Sequence, residues 1–387
     1  EEPTLLSFLA GFLHDTSAEQ TLPLRVADSL ERLMLVDLRS LLAAMVDLHA
    51  SDLHLLAGSP AQARINGDIT AISDRRLSGD EIRGMVYEFL SGEERRCLEE
   101  LKSLDRSFEL SGLGRYRINF HWQQDSLAVS IRLLPLVIPS LEELGAPDII
   151  KEFISYQNGL VLITGPAGSG KSTTLAAAIE YMNLKRASNI ITIEDPIEYV
   201  FESKKSLIRQ RELGRDTLSY AEALRSVLRQ DPNIILVGEM RDAETMQAVV
   251  TLAETGHLIF STLHTRDTVN AISRIVDMFP VSHQHEARIK IGSALRGVIT
   301  QQLIPRKDGR GRVLACEILN CTDPVRNLIK ENRLSHIRPF IQMGARFGMR
   351  SMNHSLLELS RQGVISVEEA RQRSNDKEEF NRLMLEG

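Results

Sequence analysis

Cysteine and aromatic residues are scarce in this chain, and their scarcity excludes several classes of protein. The 387 residues include three cysteines, Cys97, Cys316 and Cys321, too few and too scattered for a disulfide framework or a four-cysteine zinc site. Aromatic residues make up 5%, and 46 basic residues face 52 acidic ones. The resulting net charge of −6 argues against a generally nucleic-acid-binding surface. We therefore expect no nucleic acid partner.

Long apolar runs are also missing. No run approaches the roughly 20 residues needed to cross a bilayer. The first residues, Glu1-Glu2-Pro3, show neither the basic nor the apolar region of a signal peptide. The missing initiator Met leaves open that residues have been trimmed. We expect a cytoplasmic protein whose membrane role comes through a partner.

What the chain does contain is a phosphate-binding loop. Residues 165–172 fit the pattern G-x-x-x-x-G-K-[ST], between an apolar run that predicts a buried strand and a run that predicts a helix start. Glycines let backbone N–H groups point at phosphate oxygens, and the helix N-terminus adds partial positive charge. Lys171 is predicted to reach the β- and γ-phosphates and Ser172 to ligate Mg²⁺. The expected nucleotide contacts are Gly165, Pro166, Ala167, Gly168, Ser169, Gly170, Lys171, Ser172 and Thr173.

Carboxylates follow two further strand candidates, at the sheet edge where ligands bind open α/β sheets. Glu194 and Asp195 follow the run 191–193, and Glu239 comes shortly after the run 234–237. A P-loop hydrolase needs carboxylates to order Mg²⁺ through its water shell and to orient the attacking water. We expect Glu239 to polarise water, Glu194 to help organise it, and Asp195 to hold Mg²⁺ through water.

Histidines and arginines complete the candidate residues. His257 and His264 flank another strand candidate and are predicted to sense the γ-phosphate or relay its state, but not to bind metal. The transition state spreads negative charge over the γ-phosphoryl oxygens, so arginines are required. Two or three are expected to reach a nucleotide, among Arg115, Arg117, Arg132, Arg225, Arg229, Arg274 and Arg288.

The pattern along the chain predicts several segments. Strand candidates alternate with helical patterns in the middle of the chain, which predicts an α/β domain with a mostly parallel sheet. Short strands, an Asn-Gly hairpin signal at Asn66 and a helix over residues 79–101 predict a small α+β domain before it. The predicted segments are a helical extension (1–48), the α+β domain (49–134), a proline-punctuated linker or hinge (135–147), the α/β core (148–322) and a helical C-terminal part (323–387).

Four ordered sequence boxes resemble those of the secretion ATPase superfamily. They are residues 165–173 (Walker A), 191–196 (Asp box), 231–242 (Walker B) and 253–265 (His box). Ala50-Ser51-Asp52-Leu53-His54-Leu55 resembles that family's first-domain opening. Within the superfamily the chain is most similar to the PilT-type retraction ATPases of type IV pili. It has no tetracysteine module, and residues 324–331 resemble the retraction motif, with Pro-Val and Lys as departures.

The resemblance implies a homohexameric ring of subunits, each with a PAS-like domain and a RecA-like P-loop domain. It implies that ATP, with Mg²⁺, binds between the domains and is completed by arginines of the small domain. His264 would sense the nucleotide, and hydrolysis would turn an inner-membrane platform protein at the cytoplasmic face of the membrane to drive twitching motility. Coupling to that platform or to the ring would fall to Arg326, Asn327, Leu328 and Ile329.

Other functions stay open at the sequence level. Departures such as the amino-terminal extension, and the predicted loop 210–214, whose family counterpart varies, are compatible with an accessory retraction paralogue. Pilus extension or type II/IV secretion uses the same boxes. A RecA-like nucleic-acid motor is disfavoured by the charge balance. A scaffold that binds ATP without hydrolysing it is disfavoured by Glu194 and Glu239.

Overall fold

The computed structural model describes residues 37–65 and 67–385. The chain divides between Leu136 and Val137 into an N-terminal unit and a C-terminal unit. Asn66 of the hairpin signal and the first 36 residues of the predicted helical extension (1–48) lie outside the described residues. Within those residues no helix has the length and apolar character that a bilayer crossing requires.

The N-terminal unit contains a six-stranded antiparallel sheet with strand order β3-β2-β1-β6-β5-β4 and helices on one face. The residues of β5 show which face of the sheet packs into the core, because their side chains alternate between the core and the opposite face. Tyr116, Ile118 and Phe120 are fully buried. Its elements are α1 (Leu38–Asp47), β1 (Asp52–Leu55), β2 (Pro60–Ile65), β3 (Asp68–Arg76), α2 (Gly79–Phe89), α3 (Gly92–Leu101), β4 (Ser103–Leu110), β5 (Gly114–Gln123) and β6 (Ser126–Leu134).

The helix predicted over residues 79–101 is two helices, α2 and α3, so that prediction was wrong in detail. Ser78 and Ser91 each begin a helix with a capping box, using Glu81 and Glu94 respectively. The predicted single helix is interrupted at Leu90, because this residue has an extended backbone, and Ser91 then caps the second helix. Helix α1, at the end of the predicted extension, packs its apolar face into the same core as the sheet.

The C-terminal unit contains a seven-stranded sheet with order β13-β12-β7-β11-β10-β8-β9, in which only the β12–β13 pair is antiparallel. Its strands are β7 (Gly159–Thr164), β8 (Asn189–Glu194), β9 (Leu207–Glu212), β10 (Ile234–Val237), β11 (Leu258–Leu263), β12 (Leu295–Pro305) and β13 (Arg312–Asn320). Its helices are α4 (Ile149–Ser155), α5 (Lys171–Lys185), α6 (Tyr220–Val227), α7 (Ala243–Glu254), α8 (Thr268–Asp277), α9 (Gln284–Ala294), α10 (Asp323–Lys330), α11 (Ile337–Met343), α12 (Met352–Arg361), α13 (Val367–Arg373) and α14 (Lys377–Leu385).

The predicted fold class is confirmed: an α/β domain with a mostly parallel sheet follows a small α+β domain and precedes a helical C-terminal part. β7 and β11 are buried along their whole length, as expected of central parallel strands. Two apolar clusters lie around the sheet, one with α6–α10 and the other with α4 and α5. The long β12–β13 hairpin was not among the predicted strands.

Candidate nucleotide-binding site

The loop between β7 and α5 has the backbone shape that phosphate binding requires. Gly165, Gly168 and Gly170 adopt positive φ angles of 144°, 73° and 84°. A Cβ on Gly165 would lie 2.4 Å from the carbonyl oxygen of Gln301 and 2.6 Å from Oγ of Ser169. Only glycine fits there, because both the φ angle and the contacts exclude a side chain. Geometry therefore requires glycine at position 165, and the positive φ angles favour glycine at positions 168 and 170.

Lys171 is the first residue of α5, and its ammonium group lies within the curl of the loop. Nζ donates to the carbonyl oxygens of Gly165 at 3.0 Å and Pro166 at 2.9 Å. Burial lowers the pKa of Lys171, although the charges of Glu239 and Glu198 oppose that shift. A buried cation with neutral carbonyl partners is stabilised by any anion that enters the loop.

Glu239 connects the end of β10 to two neighbouring groups. Its Oε2 accepts from Nε of Arg241 at 2.8 Å, and its Oε1 lies 3.6 Å from Nε2 of His264. His264 follows β11, and its Nδ1 is 3.4 Å from Nζ of Lys171. Burial and the charge of Lys171 lower the pKa of His264, which favours the neutral imidazole. Lys171, His264 and Glu239 thus form one chain of contacts from the loop to β10.

Arg241 extends this chain of contacts to the next strand. Its guanidinium lies 3.9 Å from Oδ2 of Asp195, at the end of β8. The hydrogen bond from Arg241 to Glu239 raises the pKa of the arginine. The sequence analysis did not single out Arg241, although its position two residues after Glu239 was a usable signal.

Glu194 is the last residue of β8 and is held by its own surroundings. Its Oε1 accepts from Oγ1 of Thr192 at 2.6 Å and from Nε2 of Gln210 at 3.2 Å. Gln210 lies on β9, which ends at Glu212, so the prediction of a loop at residues 210–214 was wrong for residues 210–212. Four of the six residues of β9 are polar, so a search for apolar runs does not find this edge strand.

A tyrosine ties the segment after Glu194 to the helix that carries Lys171. Tyr199 donates its hydroxyl to Oγ1 of Thr173 at 3.0 Å. Burial raises the pKa of Tyr199, so the phenol stays protonated and remains a donor. The predicted contact residue Thr173 is therefore fixed from a second element of the sheet edge. No signal in the sequence pointed to Tyr199.

The predicted histidine pair is separated by the structure. His257 precedes β11, at the amino end of the strand, and its Nδ1 lies 3.0 Å from the carbonyl oxygen of Leu252. His264 lies beyond the carboxyl end of the same strand, beside Lys171. His257 therefore lies away from the phosphate loop, because the two ends of a parallel strand open on opposite edges of the sheet.

The arginines of the N-terminal unit share one sheet face. Cross-strand pairing places Arg64, Asp52, Arg132 and Arg117 in one row across β2, β1, β6 and β5. Nε of Arg132 donates to Asp52 at 2.8 Å, and Nη2 of Arg117 donates to Asp105 at 2.6 Å. Arg115 lies on the same face and donates to Oγ of Ser107 at 3.2 Å. This face therefore carries more positive than negative charge.

The arginines of the C-terminal unit are spread over several helices. Arg225 on α6 pairs with Glu244 on α7, and Arg288 lies on α9. Arg229 follows α6 and Arg274 lies near the end of α8. These four arginines therefore belong to different elements, and the ion pair of Arg225 with Glu244 is separate from the chain of contacts from Lys171 to Asp195.

The predicted coupling segment forms half of α10, four of its eight residues. Leu328 and Ile329 are buried in the core beside α9, whereas Asn327 is exposed. Nη1 of Arg326 lies 3.3 Å from Oδ1 of Asp323 in the same helix. Leu328 and Ile329 therefore have a packing role, so burial in the core accounts for the apolar residues of the predicted coupling segment.

The two predicted magnesium ligands, Ser172 and Asp195, are oxygen donors, which suit magnesium rather than a softer metal. Ser172 offers a hydroxyl at the start of α5, and Asp195 offers a carboxylate at the end of β8. Such hard oxygen donors, with water and phosphate oxygens, are the ligands that Mg²⁺ takes. Across residues 37–65 and 67–385, no cluster of three or more His, Cys, Asp or Glu side chains is arranged to hold a metal ion.

This fold and this loop define a P-loop nucleotide-binding protein. Residues 128–372 match the type II/IV secretion system protein family, which covers more than half of the chain. The chain belongs to this family, as the four sequence boxes predicted.

Three similar proteins show which members of this family the chain resembles. The chain is 44% identical to the type IV pilus retraction ATPase PilT of Pseudomonas aeruginosa, over 89% of this chain and 100% of that protein. It is 45% identical to a twitching motility protein of Neisseria gonorrhoeae, over 82% of this chain and 85% of that protein. A crystal structure of the pilus retraction motor PilT with bound ADP matches with a TM-score of 0.84 and 45% identity, over 90% of this chain and 99% of that one. The predicted resemblance to PilT-type ATPases is confirmed.

Proposed function

We propose that this chain is an ATP-hydrolysing motor that drives the retraction of type IV pili. The observation that carries this proposal is the 44% identity to a pilus retraction ATPase along that protein's entire length. A nucleotide-binding site is supported independently by the loop geometry and by the neutral carbonyl partners of the buried Lys171. The chain thus has a candidate ATP-binding site and is similar in sequence to a retraction ATPase along that protein's whole length.

We further propose how the site hydrolyses ATP. Lys171 binds the β- and γ-phosphates, exchanging the two loop carbonyls for charged oxygens. Glu239 orients and polarises the attacking water, and Glu194 helps to organise it from the neighbouring strand. Neutral His264, between Lys171 and Glu239, reports whether the γ-phosphate is present because it contacts both residues.

Magnesium is part of the proposed site. Bound Mg²⁺ supplies charge neutralisation for the phosphate oxygens. Ser172 would hold it directly, and Asp195 would hold it through water. Arg241, 3.9 Å from Asp195, keeps that carboxylate oriented toward the end of the sheet that carries the loop.

Arginines of the N-terminal unit are proposed to complete the catalytic set. Arg115, Arg117 and Arg132 share one sheet face, and that face has an excess of positive charge. Two or three of them would stabilise the charge that develops on the γ-phosphoryl oxygens. Their present carboxylate and hydroxyl partners are replaceable by phosphate oxygens, which accept the same N–H donors.

The working assembly is proposed to be a homohexamer at the cytoplasmic face of the inner membrane. Each cycle of ATP binding and hydrolysis would change the subunit conformation and turn a membrane platform protein. Arg326 and Asn327, on the accessible part of α10, are the members of the proposed coupling segment that offer polar contacts. Leu328 and Ile329 would hold that helix in place from the core.

The experiment counts surface pili on cells that lack this protein and receive either the wild-type chain or Glu239→Gln. Excess, non-retracting pili that only the wild-type chain returns to normal would support the proposal. Bald cells, or cells with unchanged pili, would overturn the retraction assignment. Steady-state ATP turnover by the purified chain separates the two parts of the proposal, because a motor of a related machine would still hydrolyse ATP.

A further inference from the structure

Gln210 lies where two parts of the candidate site meet. β8 and β9 pair in parallel, with Thr192 beside Gln210 and Glu194 beside Glu212 in the register. Side chains two residues apart on a strand share a face, so these four lie on the same face of the sheet edge. The face therefore presents a glutamine next to the carboxylate that is proposed to organise water.

The side-chain amide of Gln210 is fixed by its hydrogen bonds. Its Oε1 accepts from the backbone N–H of Phe201 at 2.9 Å, and its Nε2 donates to the carbonyl oxygen of Tyr199 at 2.8 Å. Because the N–H group only donates and the carbonyl only accepts, the amide has one orientation. That orientation directs the second N–H of Nε2 to Oε1 of Glu194, at 3.2 Å.

Two donors therefore meet on one oxygen of Glu194. Thr192 donates from the same strand at 2.6 Å, and Gln210 donates from the neighbouring strand. Donors from two directions restrict rotation of the carboxylate. Gln210, from the neighbouring strand, adds a restraint in a direction that Thr192 does not supply.

Gln210 also holds the segment that leads back to the phosphate loop. Its contacts to Tyr199 and Phe201 grip that segment from β9, and Glu212 accepts the N–H of Ile197 at 3.2 Å. Tyr199 in turn donates to Thr173. One side chain thus contacts both the proposed water-organising carboxylate and the segment that reaches the start of α5.

We infer that Gln210 is a positioning residue for hydrolysis, which acts by holding Glu194 in the orientation that organises the attacking water. This inference rests on the proposed function of Glu194. The hydrogen bonds of Gln210 go to Glu194, Tyr199 and Phe201, which are not residues of the phosphate loop, so its loss should change the rate of hydrolysis much more than the affinity for nucleotide.

The test uses the full-length protein with Gln210→Met. This substitution keeps the length of the side chain and removes the N–H donors and the carbonyl acceptor of the amide. We expect kcat for ATP to fall by about ten- to a hundredfold, the range found when an orienting partner is removed. Affinity for ADP should stay within about twofold of the wild-type value, because the substitution leaves the residues that bind the nucleotide in place. Gln247→Met, the same chemical change on an exposed face of α7, is the control and should leave both quantities unchanged.

A double-mutant cycle with Glu194→Gln decides whether Gln210 acts through Glu194. If it does, Gln210→Met should cause little further loss of kcat in the Glu194→Gln background. Equal fractional losses in both backgrounds would overturn the inference, since they would indicate general damage. A slow Glu194→Gln variant beside a normal Gln210→Met variant would overturn it too. Normal turnover by Glu194→Gln would instead overturn the proposed function of Glu194.

Gln210→Glu keeps the test decisive if the methionine variant does not fold. It retains an oxygen for the N–H of Phe201 but replaces the donor to Glu194 by a second carboxylate. Like charges at hydrogen-bond distance repel, so kcat should fall at least as far as with methionine. Wild-type turnover by this variant would overturn the inference.

Discussion

The two units arrange their charged side chains in different ways. In the C-terminal unit, the carboxyl ends of parallel strands bring together residues far apart in sequence, and Lys171, His264, Glu239, Arg241 and Asp195 form one chain of contacts. In the N-terminal unit, charged residues face each other across antiparallel strands and form separate local pairs.

The difference follows from strand direction. Parallel strands all end at one edge, so the groups that follow them converge on one place. Antiparallel neighbours place opposite residues side by side along a face, so an arginine finds a carboxylate one strand away. Asp52 illustrates this: burial works against its charge, but hydrogen bonds from Arg132 and Ser51 outweigh burial and lower its pKa. We expect single substitutions to be severe at the parallel-strand edge and milder on the antiparallel face.

Removing the cation from the phosphate loop should have the largest effect. Lys171→Ala leaves the β- and γ-phosphates without their nearest positive charge, so nucleotide affinity should fall by at least about a hundredfold. Titration with a fluorescent ATP analogue measures it. Lys185→Ala, in the exposed last turn of the same helix, is the control. Undiminished affinity in Lys171→Ala would contradict the nucleotide site.

Replacing the carboxylate after β10 should separate binding from hydrolysis. Glu239→Gln should bind ATP normally but turn over at least about a hundredfold more slowly, because the water loses its polarising group. Phosphate release under steady-state conditions gives the rate. Glu244→Gln, which loses only an ion pair with Arg225 on the surface, should turn over as the wild type does. Near-normal hydrolysis by Glu239→Gln would leave Glu239 a structural role only.

Substituting an arginine of the antiparallel sheet face tests whether this face contributes to catalysis in addition to forming its local ion pairs. Arg117→Ala should lower kcat/KM for ATP about tenfold or more if the guanidinium stabilises the transition state. Loss of its partly exposed pair with Asp105 alone should cost less than about 1 kcal/mol of unfolding free energy. Arg75→Ala, which breaks another exposed ion pair of this unit, is the control. Equal activity of both variants would restrict Arg117 to local pairing.

The smallest effect should come from the proton of His264. Its pKa is lowered in the folded chain, so the unfolded chain binds more protons just below pH 6.5, the ordinary value. Stability therefore decreases as pH falls through this window, and the loss is complete below the folded pKa. His264→Gln should lessen this decrease in Tm by no more than about 2 °C, since half of the side chain is exposed to solvent. Thermal melts from pH 7.5 to 5 measure it, and an unchanged acid-side slope would contradict the shift.

Several parts of the site were predictable because each has a local signal. The loop at residues 165–172 is marked by three glycines with positive φ angles, and at Gly165 close contacts also exclude a side chain. Glu194 and Glu239 follow apolar runs, so their place at the sheet edge follows from strand polarity. Gln210 and Tyr199 have no such signal. They matter through hydrogen bonds to residues 16 and 26 positions away, and no spacing rule contains those distances.

The sequence by itself determined the nucleotide chemistry, the alternation of strands and helices, and the family, because each depends on short contiguous patterns. Only the tertiary structure decided which candidates meet: it brought His264 to Lys171, left His257 at the opposite edge, and aligned the arginines of the N-terminal unit on one face. The physical reason is that strand order and register set which distant side chains become neighbours. Those are fixed by the packing of the whole sheet and not by any one segment.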